Sequence, residues 1–416
     1  MNLKKHINFL KIIFIYTVTA FGGPQGHYGM MLKIFVDKYK YITKEELIDL
    51  NSFCQLLPGA SSTQLLTIIA YKRGGLFLSV ITFLIWILPA CLIMTLLSLY
   101  ISHFHILNIN NSIFKFIQPI AIGFLLYAAI HTYKVCINNK NTFIVMLMGL
   151  LLTVYFFKNP WIIPILFLFG AIISNFYNRS FPKVENKKHK YKFQPLFIII
   201  FLITFTFLAF LSETARKNNW NHRKLYNVGE NYFRFGSIVF GGGDILLPMI
   251  IDQYVARPTN KKIILKNPGI IKINQEYLLT GYGLTKAIPG PVFSYAAFTG
   301  GLALEKEGKV KQITASIIAS IAIFLPSILL VLFFFPLWNN LKNYVVVHRS
   351  LIGINAVIVG IMFAAFFYVI KDYFSTQISS QIITYFLITL TYILLTFTKI
   401  PSPFLVILAL FLGIIF

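Results

Sequence analysis

Gln55-Leu56-Leu57-Pro58-Gly59-Ala60-Ser61-Ser62-Thr63-Gln64 interrupts a long apolar run with a Pro-Gly pair, and polar side chains follow at once. The pattern returns at Lys286-Ala287-Ile288-Pro289-Gly290-Pro291-Val292-Phe293-Ser294. Two matching interruptions in apolar sequence predict two broken helices meeting at one site. Irregular backbone at membrane depth is tolerated only inside protein or along a watery cavity. A cavity is therefore expected where the breaks meet.

Around these breaks the chain is strongly apolar. It has 416 residues, 57% hydrophobic and 12% charged, too little charge to cover a soluble domain of this length. Nine runs carry no charged residue: Leu76–Ile101, Phe116–Tyr133, Asn141–Phe157, Asn159–Asn178, Gln194–Leu211, Ile313–Leu341, Ser350–Ile370, Tyr373–Thr398 and Ile400–Phe416. A span needs roughly 17–25 apolar residues. The fold class expected is an all-α polytopic membrane protein, and membrane lipid is its first partner. The excess of 37 Lys+Arg over 13 Asp+Glu sits in short segments between apolar runs. That placement fits anionic headgroups, and no nucleic-acid partner is expected. Cys54, Cys91 and Cys136 have no paired spacing, so neither a disulfide framework nor a metal site is predicted. His103 and His105, two apart, share no helix face and suit the interface better than a metal. Lys4-Lys5 before an apolar stretch imitates a signal peptide, but Lys11 interrupts its core.

Residues 8–75 read as short broken segments. A helix over Asn8–Phe21 is ended by Gly22-Gly23-Pro24. Thr43 stands as N-cap with Glu46 three residues on, opening a helix that runs to Leu57. Pro58-Gly59 breaks it, and a short helix is predicted from about Ser61 to Ala70. Four spans follow. Lys72 and Arg73, Lys134 and Lys140, and the basic linker Arg179–Lys192 fall on one side of them, with Lys115 and Lys158 on the other. The positive-inside rule puts the first group in the cytosol. After the single span Gln194–Leu211 comes a second broken block, with Phe240-Gly241-Gly242-Gly243-Asp244, a basic loop from Arg257 to Lys272 and the second Pro-Gly. Four more spans end it.

The blocks are duplicates. Phe21-Gly22-Gly23 matches Phe240-Gly241-Gly242 at an offset of 219. Glu45 matches Glu276, and Pro58-Gly59 matches Pro289-Gly290, at 231; Pro89 matches Pro326 at 237. The offset changes only in loops, as in a duplicated unit. The predicted division is a first repeat over 1–178, the linker and connecting helix (194–211) over 179–226, and a second repeat over 227–416. If each broken block crosses an even number of times, as re-entrant helix pairs do, the one extra span makes the two repeats inverted. That is a common plan of secondary transporters.

A helix N-terminus offers about four unpaired N–H groups and roughly half a positive charge. Pro58 and Gly59 suit such a start, one lacking an N–H to strand and the other admitting close approach. Ser61, Ser62 and Thr63 add hydroxyls, and Gln55 and Gln64 add amides. Pro289, Gly290, Pro291 and Ser294 form the second set, with Lys286 as a cation. Donors without neighbouring carboxylates suit an anion. The other reading of both breaks is a pair of packed kinks. Gly22, Gly23, Pro24, Gln25 and His27, and Gly241, Gly242, Gly243 and Asp244, form the partner breaks. His27 and Asp244 are ionisable groups where such residues are often functional. No cofactor, metal or enzyme motif is found: no His-Glu-x-x-His, P-loop or Gly-x-Ser-x-Gly. Transport would draw on ion gradients.

At these residues the chain resembles the chromate ion transporter family in its long, two-domain form. The first half carries Phe21-Gly22-Gly23-Pro24 with His27, Gly29-Met30-Met31, Glu45-Glu46, Cys54-Gln55-Leu56-Leu57-Pro58-Gly59, Ser62-Thr63-Gln64-Leu65 and Tyr71-Lys72-Arg73. The second carries Phe240-Gly241-Gly242-Gly243, Leu247-Pro248, Gly283-Leu284-Thr285, Pro289-Gly290-Pro291-Val292 and Ile323-Phe324-Leu325-Pro326. Ala60-Ser61 stands where that family usually has Pro-Asn. The resemblance implies a secondary transporter of inorganic oxyanions, chromate and sulfate-like, with proton coupling. A passive anion channel, a transporter of a different anion, or a scaffold without transport are the alternatives. An integral, multi-pass location is expected, in the plasma membrane, and a homo-oligomer is compatible with this reading.

Overall fold

The hydroxyl of Thr43 accepts a hydrogen bond from the Glu46 N–H at 3.2 Å and starts a helix over Lys44–Leu56. Its counterpart 231 positions on, Asn274, accepts from the Glu276 N–H at 3.0 Å and starts Gln275–Thr285. Both helices are thus capped, at positions 231 residues apart. The structure, a computed structural model, describes residues 6–106, 112–156, 162–177, 194–240, 243–267, 269–338, 345–371, 378–398 and 400–415. Gly241, Gly242, the linker at 179–192 and Lys4-Lys5 lie outside the described residues, as does the side chain of His105.

The described elements are helical: α1 (Ile7–Thr19), α2 (Gly23–Met31), α3 (Lys44–Leu56), α4 (Ser61–Ile106), α5 (Ile117–Cys136), α6 (Lys140–Phe156), α7 (Ile162–Tyr177), α8 (Leu196–Lys217) and α9 (Arg223–Ile238). Then come α10 (Leu246–Ile251), α11 (Lys261–Lys266), α12 (Gln275–Thr285), α13 (Tyr295–Leu302), α14 (Lys309–Phe334), α15 (Val345–Lys371), α16 (Ile378–Phe397) and α17 (Ser402–Ile415). Each of the nine apolar runs forms a helix where it is described. Among the described residues, five stretches are long and apolar enough to cross a membrane: Ser61–His103, Ile117–Cys136, Leu196–Lys217, Lys309–Leu337 and His348–Lys371. The other four runs form shorter apolar helices.

The helix after the first Pro-Gly reverses on itself. Gly74 and Gly75 leave helical geometry, Gly75 at φ +73°, and split α4 into legs 61–73 and 76–106. The Ser79 hydroxyl donates to the Thr67 carbonyl at 2.9 Å, and Trp86 Nε1–H donates to Thr63 Oγ1 at 3.0 Å. Pairs that close symmetrically about the glycines define an antiparallel hairpin. The expected end near Ala70 is therefore moved to Gly74. Lys72 stays helical because it pairs with Glu46, and the Arg73 guanidinium lies 4.1 Å from the Tyr41 ring centre. The same device recurs in α13 and α14, turning at Gly308 with φ +95°. A Cβ on Gly300 would lie 2.4 Å from that of Ala319, so only glycine lets the legs close.

The turn of this second hairpin is tied down by Glu307, which meets Lys224 at 2.8 Å and Lys311 at 3.1 Å. Partial burial raises the Glu307 carboxyl, but hydrogen bonds and charge from Lys224 and Lys311 outweigh it and hold it below the usual value. A carboxylate depressed in the folded state adds stability above its unfolded pKa of about 4.3, and loses it as pH falls through the folded value. Glu307→Gln is therefore expected to lower stability at pH 7 by up to about 1 kcal/mol. The difference from the parent should vanish in acid, read from melting curves in detergent across pH. A constant difference at every pH would contradict the ion-pair account.

By packing, the chain forms two compact units, and each draws on both sides of the basic linker. One comprises Met1–Asn110, Tyr191–Gly243 and Thr285–Leu337; the other comprises Asn111–Lys190, Asp244–Leu284 and Trp338–Phe416. In the first, α8 exposes Leu202, Ile203, Phe207 and Phe210, a surface suited to acyl chains. In the second, α15 packs on α6 and α7 at glycines. A Cβ on Gly353 would meet the Gly170 carbonyl oxygen at 1.8 Å, and one on Gly149 would meet Val357 at 3.3 Å. Small residues at such crossings are what bring apolar helices close in lipid.

Two stretches depart from α geometry at matching places. Leu32–Lys38 follows α2, and Asp252–Ala256 follows α10, in wider turns closed by bonds five residues apart, such as Tyr39 N–H to Ile34 O at 3.0 Å. In the second unit this turn aligns Asp252 with Arg257, whose guanidinium contacts the carboxylate at 2.6 Å and Gln253 Oε1 at 2.6 Å. Asp252, Gln253 and Arg257 are all buried. Arg257, which the sequence reading places in a basic loop, is instead a core residue. The reading groups Arg257 with the lysines after it by charge, whereas the wide turn places it beside Asp252, five residues back.

Candidate functional site

The first Pro-Gly break is built by backbone. Gly59 has φ +119°, a conformation that L side chains rarely adopt, and its N–H donates to the Val239 carbonyl at 2.6 Å. Val239 stands just before the second repeat's Phe240-Gly241-Gly242. The next N–H, of Ala60, donates to Ser327 Oγ at 3.1 Å. Gln64 folds back and donates to the Pro58 carbonyl at 2.7 Å. One amide hydrogen of Gln64 thus closes the break rather than facing a ligand.

The second break mirrors the first. Gly290 has φ +117°, and its N–H donates at 2.9 Å to the carbonyl of Ala20, just before Phe21-Gly22-Gly23. Each Pro-Gly glycine thus bonds to the residue before the other half's Phe-Gly-Gly. The helices behind match as well. A Cβ on Gly59 would meet Ser327, and one on Gly290 would meet Ala90 at 2.9 Å. Ser327 and Ala90 follow the paired Pro326 and Pro89. Val292 closes the set, since a Cβ on Gly23 would lie 3.9 Å from it and one on Gly243 would lie 2.7 Å away. Both Pro-Gly breaks, Gly23 and Gly243 therefore meet within the first unit.

Polar side chains gather on the first break. His27 Nδ1 lies 3.2 Å from Ser62 Oγ, and both residues are buried. Trp86 packs edge-on to His27 and stacks on Tyr16, each at 5.1 Å between ring centres, and the Tyr16 hydroxyl donates to the His27 carbonyl at 3.2 Å. Three buried atoms here have no partner among the described residues: His27 Nε2, Gln64 Oε1 and Ser294 Oγ. Buried polar atoms are normally paired, so such a set suits a ligand or water.

The remaining expected residues are placed as follows. Pro24 opens α2 behind Gly22 at φ +90° and Gly23 at φ +68°. Ser61, Lys286, Pro289 and Pro291 lie at the breaks, with Ser61, Lys286 and Pro289 half-buried. Gln55 is exposed on α3 and is not drawn into the cluster. Asp244 belongs to the second unit, where it accepts from the Tyr282 hydroxyl at 3.0 Å. The Gln25 side chain lies outside the described residues. Among the described residues no group of three His, Cys, Asp or Glu could hold a metal. Sequence reasoning missed Trp86, Tyr16 and Ser327. Reading the repeat one residue past Pro326 would have found Ser327; Trp86 and Tyr16 are hidden in apolar runs.

A model of the chromate transporter family matches residues 7–174 and again residues 226–414. The chain belongs to the chromate transporter family. Its two matched regions make it the family's two-domain form, an integral, multi-pass membrane transport protein. An uncharacterized transporter of Methanocaldococcus jannaschii is 23% identical over 367 residues, covering 86% of this chain and 82% of that one. No solved structure matches.

Proposed function

We propose that the protein is a secondary active transporter of inorganic oxyanions of the chromate and sulfate class. The observation that carries this reading is the reciprocal crossing of the Pro-Gly breaks, Gly59 to Val239 and Gly290 to Ala20. It brings the start of α4 at Ser61 and the 3-10 turn over Val292–Ser294 that leads into α13 into one unit. Helix starts favour negative charge. Family membership supports an oxyanion over other anions.

In this reading the two repeats, 1–178 and 227–416, are inverted about the linker and connecting helix. The anion sits among Ser61, Ser62, Thr63, Ser294 and the N–H groups of the first turn of α4, with Lys286 contributing charge. His27 is the titratable group nearest the hydroxyls, and it carries the coupled proton. Ser62→Ala, Gln64→Ala and Lys286→Ala should each lower oxyanion uptake into proteoliposomes about tenfold, the scale of one lost hydrogen bond to a charge. Melting temperatures should stay near the parent's for Ser62→Ala and Lys286→Ala. Parental uptake in all three variants would remove the anion from this site.

A further inference from the structure

We propose that Trp86 is a positioning residue that commits the Thr63 hydroxyl to donating toward the transported anion. The inference rests on the oxyanion reading above and adds a residue to it.

A threonine hydroxyl has one hydrogen to give and two lone pairs to receive with. In a helix it commonly turns that hydrogen back to a carbonyl of the preceding turn, as Thr67 does to the Thr63 carbonyl at 2.7 Å. Thr63 is placed differently, because Trp86 Nε1–H points at its oxygen from 3.0 Å. An indole N–H donates and never accepts. It therefore occupies an acceptor position on Oγ1, and the hydroxyl hydrogen must go to another acceptor. Thr63 stands in the first turn of the leg behind Pro58-Gly59: four residues back is Gly59, in non-helical backbone at φ +119°, and three back is the Ala60 carbonyl, which already accepts the Gln64 N–H at 2.9 Å. Thr63 is 1% exposed and Trp86 fully buried, so bulk water is not that acceptor.

The indole is itself held. Tyr16 stacks on one side at 27° between planes, and His27 meets it edge-on at 86°. His27 in turn holds Ser62, the residue before Thr63. The hydroxyl is thus oriented before the anion arrives, which lowers the ordering cost of binding.

The second repeat provides an internal comparison. Ser294 is the counterpart of Thr63 at offset 231, and Ile323 is the counterpart of Trp86 at offset 237. Isoleucine donates nothing, and Ser294 Oγ is buried without a partner among the described residues. The orienting device belongs to the first break.

The test is a double-mutant cycle on sulfate and molybdate uptake by the full chain in proteoliposomes. Trp86→Phe keeps an aromatic ring against Tyr16 and His27 but removes the N–H. It should raise KM about tenfold and leave kcat within about twofold, as loss of binding in ground and transition states alike does. Thr63→Val should do the same. In the Thr63→Val background, Trp86→Phe should add nothing, since the residues act as one unit. Thr63→Ser should restore most of the affinity, and a parental melting temperature in that variant separates positioning from folding. Independent, multiplying effects of the two substitutions would overturn the role of Trp86 while leaving the transport reading intact. Absence of uptake by the parent protein would overturn the transport reading, and this inference with it.

Discussion

Gly59→Ala should yield little folded protein. A Cβ at this position would lie 2.0 Å from Ser327 Oγ and 2.9 Å from its Cβ, where real Cβ contacts do not occur. The neighbour is a short side chain on the packed helix α14 and cannot swing away. Holding a non-glycine residue at φ +119° costs about 1–3 kcal/mol. Overpacking adds about 1–3 kcal/mol more. The bond from Gly59 N–H to Val239 is lost as well if the backbone relaxes. Together these come to about 2–6 kcal/mol, which reaches the lower end of the stability of an ordinary domain, about 5–15 kcal/mol. Gel filtration and melting of the purified variant provide the measurement. Ser327→Gly in the same chain removes the overlap and should restore part of the stability. It cannot restore all, because φ strain remains and the Ala60 N–H loses its acceptor. Gly290→Ala should be milder, with Ala90 at 2.9 Å as its nearest obstacle. A parental melting temperature for Gly59→Ala would contradict the crossing.

Arg257→Leu should destabilise the second unit by about 3–5 kcal/mol, the cost of stranding a buried charge when its partner is removed. Asp252 is 3% exposed and Arg257 7%, so neither can be solvated without unwinding the turn. Replacing both by leucine removes the stranded charge and should recover most of that loss. Hydrogen exchange across 244–284 would localise the effect. Equal destabilisation by the single and double replacements would show that shape, not charge, holds this turn.

Much of this fold is legible in the sequence. Apolar runs reveal lipid-facing helices because lipid demands them along a helix's whole length. Thr43 and the Pro-Gly pairs can be read because capping and helix breaking are local. The meeting of the breaks was expected from their duplication. Its form was not, because the bonds use the carbonyls of Val239 and Ala20, groups every residue has. Trp86 leaves no signal inside a run where any large apolar residue would serve. The Asp252–Arg257 pair is invisible to α periodicity and appears only once the turn widens. Arg73 and Lys72 read as loop residues because they are charged, yet Tyr41 and Glu46 keep them helical.

The central claim is that the crossed breaks hold an oxyanion which an ion gradient drives across the membrane. Its most direct test is uptake of radiolabelled sulfate into proteoliposomes under an imposed proton gradient, with chromate, molybdate and phosphate as competitors. Saturable accumulation above the outside concentration, competed by tetrahedral oxyanions and lost in Ser62→Ala, is the expected result. Equilibration without accumulation would make the protein a channel, and accumulation undiminished by Ser62→Ala would place the anion elsewhere.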